Sequence, residues 1–216
     1  MIEIIPAVIG INFEAVREKI AIFNDQTNWL HLDVADGQFV PDTTWQSASD
    51  LETLNGQAKI EVHLMVRDPE EVVSNWTPVA DRIIIHPEAT SQCQEIIDAF
   101  TSQPVELGLA VLLDTPLSSL NNLLTAVKSV QLMSIAKLGH QGEPFADIVY
   151  ERIKLLRQEH PNVKISVDGG VNLDNAGRLL AAGADRLVIG SAIWQNSDPT
   201  SALTEFQRLT YASTRR

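Results

Sequence analysis

The chain has 216 residues, a formal net charge of -12 and 44% hydrophobic side chains. That length suits one large domain or two small ones, and α/β barrels of this size fold as a single domain. The acidic balance, with no dense basic cluster, argues against nucleic acid or an anionic membrane as partner. The first residues, Met1-Ile2-Glu3-Ile4-Ile5-Pro6, lack a basic segment followed by a long apolar run, and no apolar run approaches the ~18 residues of a membrane span. A cytoplasmic protein is therefore expected. The single cysteine, Cys93, leaves no internal disulfide framework and fits a reducing compartment. Its helix-like surroundings mark it as a core or half-buried residue rather than a reactive thiol.

Short β-branched runs alternate with longer amphipathic ones. A strand is expected over 4–9 and a helix over 13–24, where Phe13, Val16, Ile20 and Phe23 share a face. The second strand covers 29–34, followed after Pro41 by a helix to about 54 and a third strand over 59–65. Pro69 opens the next helix at its first turn, where proline is tolerated. Then come a strand over 82–86, a helix over 91–101, a strand over 105–112 and a helix from Pro116. The last units are strands over 130–135, 163–167 and 186–189 with helices over 145–160, 173–182 and from Pro199 to about 211. Residues 212–216 are expected to fray. Eight β-then-α units with short connections predict one (β/α)8 TIM barrel domain spanning 1–216. An open doubly wound sheet is the alternative, weakened because Pro6-Ala7-Val8-Ile9-Gly10 is not a Gly-x-Gly-x-x-Gly turn.

Active sites of barrels lie at the C-terminal ends of the strands. His31 and Asp33 end the second strand and, two apart, share a face opposite Leu30, Leu32 and Val34. His63 ends the third, His86 the fourth and Asp168 the seventh. A buried carboxylate needs a partner or a metal. His31, Asp33, His63 and Asp168 can converge on a tetrahedral site for one divalent ion. Zinc suits these donors, with iron, manganese or cobalt as alternatives. Alone, either histidine is more often a hydrogen-bonded structural residue; four donors at one end of one barrel are harder to set aside. Asp36, before Gly37, reads as a turn residue. Glu61 lies deeper on the His63 face and needs an interior partner.

Glycine-rich loops follow the last three strands: Gly139-His140-Gln141-Gly142, Gly169-Gly170 and Gly190-Ser191. Loops after strands seven and eight recurrently bind phosphate in barrels, through backbone N–H groups that glycine lets approach an anion. Singly each pair is a weak signal, because turns also need glycine. Gly183 reads as a helix C-terminal residue.

His-Leu-Asp-Val-x-Asp-Gly-x-Phe-Val-Pro at 31–41, His-Leu-Met-Val at 63–66, Val-Asp-Gly-Gly-Val at 167–171 and Gly-Ser-Ala-Ile at 190–193 resemble the ribulose-phosphate 3-epimerase family. The resemblance runs over almost the whole chain in the same order. It implies a (β/α)8 isomerase of carbohydrate and pentose phosphate metabolism, interconverting D-ribulose 5-phosphate and D-xylulose 5-phosphate with a divalent metal. Carried over, it makes His31, Asp33, His63 and Asp168 the metal ligands and Asp33 and Asp168 the acid/base pair. It places Gly139, His140, Gln141, Gly142, Gly169, Gly170, Gly190 and Ser191 around the sugar phosphate. Members are commonly oligomeric, so a homo-oligomer is the one protein partner expected. Inverting C3 of a 2-ketose needs two proton carriers on opposite faces of a planar enediolate, which two carboxylates from distant strands can provide. Met65 and Met133 would serve equally as an apolar lid or as core filler.

Departures from the family pattern bear on the substrate. Pro6-Ala7 stands where Pro-Ser is usual, Ala35 where a methionine is common, and Leu112 where an asparagine is common. The loop after the sixth strand is one residue longer and has lost a glycine; Lys137 could bring a charge to the phosphate or be a solvated loop residue. Space near Ala7 and the altered loop admit a 3-epimerase of a ketohexose 6-phosphate, such as allulose 6-phosphate, as the alternative. A non-catalytic phosphosugar-binding barrel would not need both carboxylates. A barrel lyase or decarboxylase would need a lysine ending a central strand, and none is found.

Overall fold

Residues 2–23, 25–54, 56–138 and 143–213 are described by a computed structural model of the chain. The β-branched runs form β1 Glu3–Val8, β2 Trp29–Ala35, β3 Lys59–Met65 and β4 Arg82–Ile85. β5 Glu106–Val111, β6 Ser129–Met133, β7 Lys164–Asp168 and β8 Arg186–Ile189 complete the set. Neighbours pair in parallel and in chain order, and β8 returns to β1 with Ile5 opposite Val188, so the sheet closes on itself. This is the expected single-domain (β/α)8 barrel, and closure rules out the open sheet. Strand ends differ from expectation by a residue or two, where pairing frays.

Alternation along each strand sorts the side chains. Leu30, Leu32 and Val34 point outward into the main core, where α1 (Phe13–Phe23) lays Val16, Ile20 and Phe23. Leu30 and Phe23 are fully buried, each stabilising the fold by about 1.5–3 kcal/mol. His31 and Asp33 point inward, as expected from their spacing.

The outer layer departs more from expectation. Beyond Pro41 there is no helix to residue 54, only an extended segment and a short 3₁₀ turn, Ala48–Thr53. Thr44 explains this: its backbone N–H bonds Ala35 at 3.0 Å and its hydroxyl accepts the Ala35 N–H at 2.9 Å, fastening the chain to the barrel rim. Trp45 follows, stacked on Phe13 at 5.5 Å. After Pro69 a 3₁₀ turn, Pro69–Glu71, leads into one α-turn, α2 (Val73–Trp76). α3 is Cys93–Phe100, and Pro116 precedes a 3₁₀ turn, Leu117–Leu120, with α4 (Asn121–Leu124). α5 (Ile148–Glu159) starts later than expected, because the N–H of Ala146 is bonded to Ser134. α6 (Leu173–Ala182) matches its expected bounds and ends on Gly183. A short α7 (Ser191–Trp194) precedes α8 (Pro199–Ser213); residues 214–216 of the expected tail lie outside the described residues. No helix among the described residues is long and apolar enough to cross a membrane. Cys93 is buried in the core, and burial, with Glu88 nearby, pushes its thiol up to about 11, away from reactivity.

At the N-terminal end the barrel is plugged by charge. Arg82 donates to Glu61 through Nη1 and to Glu106 Oε1 through Nε at 2.9 Å, and its guanidinium lies 4.0 Å from the Trp29 ring centre. Ser129 also donates to Glu106 at 2.7 Å, and Arg186 to Glu3 at 2.8 Å. Every buried charge here has an opposite partner, which is what makes its burial tolerable.

Candidate active site

The pairing register brings the expected donors together. Asp33 lies opposite His63 across β2 and β3, while Asp168 ends β7 opposite Met133. Asp33 Oδ1 is 3.2 Å from His31 Nε2 and 3.0 Å from His63 Nδ1. Asp168 Oδ2 is 3.9 Å from His31 Nε2 and 3.7 Å from His63 Nδ1. One donor atom from each of the four residues lies within 4.8 Å of all the others. Tetrahedral ligands at zinc bond lengths sit roughly 3.3 Å apart, inside this spread of distances. Two imidazoles and two carboxylates thus fit a divalent ion.

The surroundings of the four set their charge. Glu61 Oε1 lies 2.7 Å from His31 Nδ1, so this carboxylate, itself held by Arg82, fixes the proton on Nδ1 and turns Nε2 to the centre. Glu61 has therefore found the interior partner it needed. Burial works against a charged His31, but Asp33 and Glu61 outweigh it and raise its pKa well above the usual value. A metal would take the place of the proton on Nε2. Burial would also raise Asp33, yet His31 and His63 hold it well below the ordinary carboxylate range. Asp168 goes the other way. Burial first, and the charge of Asp33 second, push it up to about 6.

Asp168 accepts from Gln131 Nε2 at 3.0 Å. Gln131, buried in β6, was not singled out from the sequence, although its position two before Met133 puts it on the inner face. His86 was noted only as a strand end, yet its Nε2 lies 2.9 Å from His63 Nε2. Burial keeps this ring neutral by lowering its pKa to about 4. Asp36 is the turn residue expected: its carboxylate accepts N–H groups of Gln38, Phe39 and Arg67 at 2.8–2.9 Å.

A cavity above the four donors is lined by Asp33, Asp168, Met65 and Met133 and, toward one end, by Gly169, Gly170, Gly190 and Ser191. Gly169 and Gly170 have φ of +104° and +65°, a region costly for other residues, and a Cβ on Gly170 would come within 3.2 Å of Phe145 Cβ. Ala7 lines the same cavity with only a methyl group, and so does Glu143, which sequence reasoning passed over. Of the expected phosphate loop, Gly139, His140, Gln141 and Gly142 lie outside the described residues. Lys137 is exposed and borders a separate surface groove with Phe39 and Leu112 rather than the cavity.

Fold and site together define a (β/α)8 barrel with a cluster of two histidines and two aspartates, able to hold a metal, at the C-terminal strand ends. Residues 3–194 match the family described as the ribulose-phosphate 3 epimerase family. The chain belongs to that family, and with it to the isomerases that act on carbohydrates. It is 28% identical over 222 residues to ribulose-phosphate 3-epimerase of Bacillus subtilis, covering 96% of this chain and 99% of that one. It is 30% identical over 213 residues to the protein of that name from Helicobacter pylori, covering 96% and 97%. Among solved structures, 3-hexulose-6-phosphate synthase from Salmonella typhimurium superposes with a TM-score of 0.73 over 96% of this chain and 98% of that one, at 12% identity. At that identity the likeness concerns the fold alone.

Proposed function

We propose that this protein is a metal-dependent 3-epimerase of a ketose phosphate, interconverting D-ribulose 5-phosphate and D-xylulose 5-phosphate. The observation that carries the reading is the unequal pair of carboxylates. Asp33 faces two imidazoles and is held as an anion, whereas Asp168, which burial and the charge of Asp33 push up to about 6, is the carboxyl more able to keep a proton. They rise from β2 and β7, three strands apart around the barrel, so a planar enediolate can lie between them. Asp33 takes the C3 proton on one face; Asp168 delivers one to the other face, and the roles exchange in the reverse direction. His31, Asp33, His63 and Asp168 would hold the ion, zinc by its preference for these donors, which supplies positive charge beside the oxygens that become negative. Met65 and Met133 exclude water from the intermediate. Backbone N–H groups at Gly169, Gly170, Gly190 and Ser191 receive the phosphate end, which solves anion binding on an acidic chain without a cation.

A ketohexose 6-phosphate is the second reading. It is favoured by one observation: Ala7 contributes only a methyl to the cavity wall beside Gly190, 3.7 Å from where a Cβ on that glycine would stand, which leaves room for an extra carbon. Incubation of zinc-loaded protein with each ketose phosphate in deuterium oxide tests both. Deuterium should enter at C3 of both epimers, and Asp33→Asn or Asp168→Asn should slow this by about 10²–10⁴. No exchange with any pentulose or hexulose phosphate would refute both substrates.

A further inference from the structure

His86 is fully buried at the end of β4, and none of the chemistry above uses it. Its Nε2 and the Nε2 of His63 are 2.9 Å apart, so one of them must donate and the other accept. That choice decides what His63 presents at its other nitrogen. His63 Nδ1 faces the point where the four donors converge. A neutral ring offers a lone pair there only if its proton sits on Nε2 and is donated to His86. His86 must then accept at Nε2 and carry its own proton on Nδ1.

That proton has one acceptor within reach. His86 Nδ1 lies 3.5 Å from Glu88 Oε2, and both atoms are buried with no other hydrogen-bond partner among the described residues. Two orphaned groups of complementary kind face each other. The second oxygen of Glu88 is occupied: it accepts the N–H of Leu112 at 3.0 Å and the hydroxyl of Thr115 at 2.5 Å. A backbone N–H can only donate, so this oxygen stays where it is and Oε2 is left for His86. The ring is kept in place by Phe39, whose centre is 4.9 Å away.

We propose that His86 and Glu88 are positioning residues for His63. The chain Glu88···His86···His63 sets the tautomer of the last ring and turns its Nδ1 lone pair toward the ion. The inference rests on the metal reading above. It has a sharp consequence. In Glu88→Gln the amide oxygen must take the Leu112 N–H, which leaves the NH₂ facing His86 Nδ1. His86 then accepts at Nδ1, donates from Nε2, and drives the His63 proton onto Nδ1.

The test is zinc affinity of the apoprotein by chelator competition, with nitrogen NMR of the histidine rings in the zinc-loaded protein. Glu88→Gln, which alters no ligand and almost no volume, should weaken zinc binding by about 10–100-fold. His86→Phe should do the same, and His86→Gln, whose amide oxygen can accept from His63 Nε2, should recover most of the loss. The wild-type spectrum should place the His86 proton on Nδ1. If His86→Phe does not fold, Glu88→Gln and the spectrum decide. Wild type that takes up no zinc overturns the metal reading and this inference with it. Wild type that binds zinc, with Glu88→Gln binding equally well or His86 protonated on Nε2, overturns this inference alone.

Discussion

Arg82→Met is the most demanding test of how the barrel floor holds its charges. Arg82 and Glu61 are each 1% exposed, so solvent scarcely screens either. The substitution keeps an unbranched side chain of useful length but leaves Glu61 Oε2 without the guanidinium that meets it. Glu106 suffers less, because its side chain is 26% exposed and Ser129 still donates to it. Removing one member of a buried pair costs about 3–5 kcal/mol. The lost stacking on Trp29 adds about 1 kcal/mol. A loss of about 4–6 kcal/mol would consume much of an ordinary stability of ~5–15 kcal/mol. Urea unfolding at pH 7, followed by tryptophan fluorescence and circular dichroism together, measures it. Adding Glu61→Gln to Arg82→Met removes the stranded charge while an amide oxygen still accepts from His31, so the double variant should recover about 2 kcal/mol. Arg82→Met within about 1 kcal/mol of wild type, or a double variant no better than the single one, would show that this reasoning is wrong.

Two further outcomes follow from elements that support the site. Asp185 accepts from Arg157 at 2.5 Å and from the Ile165 N–H at 2.9 Å. Burial alone would raise its pKa, but these partners hold it below the ordinary value. A depressed folded-state pKa gives stability that is present above the unfolded value near ~4 and lost as pH falls through the folded one. The deficit of Asp185→Asn in thermal melts should therefore be largest near neutrality and shrink in acid; a deficit constant across that range would contradict it. Asn172 caps α6, accepting the N–H groups of Asp174 and Asn175 at 3.0 and 3.1 Å, while Asn175 accepts the Asn172 N–H at 2.9 Å. Asn172→Ala should cost about 1 kcal/mol by urea unfolding, with Asn172→Asp close to wild type.

What could be read from the sequence is what alternation and strand order carry. The inward pair His31 and Asp33 follows from a two-residue period, and eight such runs place His63 and Asp168 at the same end. The helix expected after Pro41 failed for a tertiary reason: Thr44 trades local helical bonds for bonds to Ala35, a partner no periodicity reveals. The partners of Gln131, Arg82 and His86, the last expected only as a strand end, escaped for a related reason. Each of these three looks like a lone polar residue in an apolar strand, and its partner comes from another strand with no short-range signature. α7, four residues long, is too short to show a helical period. The loop around Gly139, which the resemblance places around the sugar phosphate, falls outside the described residues.

The inequality of the two carboxylates has a source well away from them. From the floor upward, Trp29 supports Arg82, Arg82 holds Glu61, Glu61 binds His31 Nδ1, and His31 Nε2 faces Asp33. Each donor in that column is matched by an acceptor above it, so Asp33 inherits a donor fixed by the whole stack. Asp168 stands outside the column and receives a neutral amide from Gln131. Two residues of the same type, a few ångströms apart, have opposite tendencies toward the proton, Asp33 lowered by the imidazoles and Asp168 raised by burial and by the charge of Asp33. A symmetric pair would hold its protons alike and favour neither direction of transfer. The charged floor is therefore more than a plug that stabilises the barrel: in the proposed reaction it is what fixes Asp33 as the base, while burial and the charge of Asp33 let Asp168 begin as the acid.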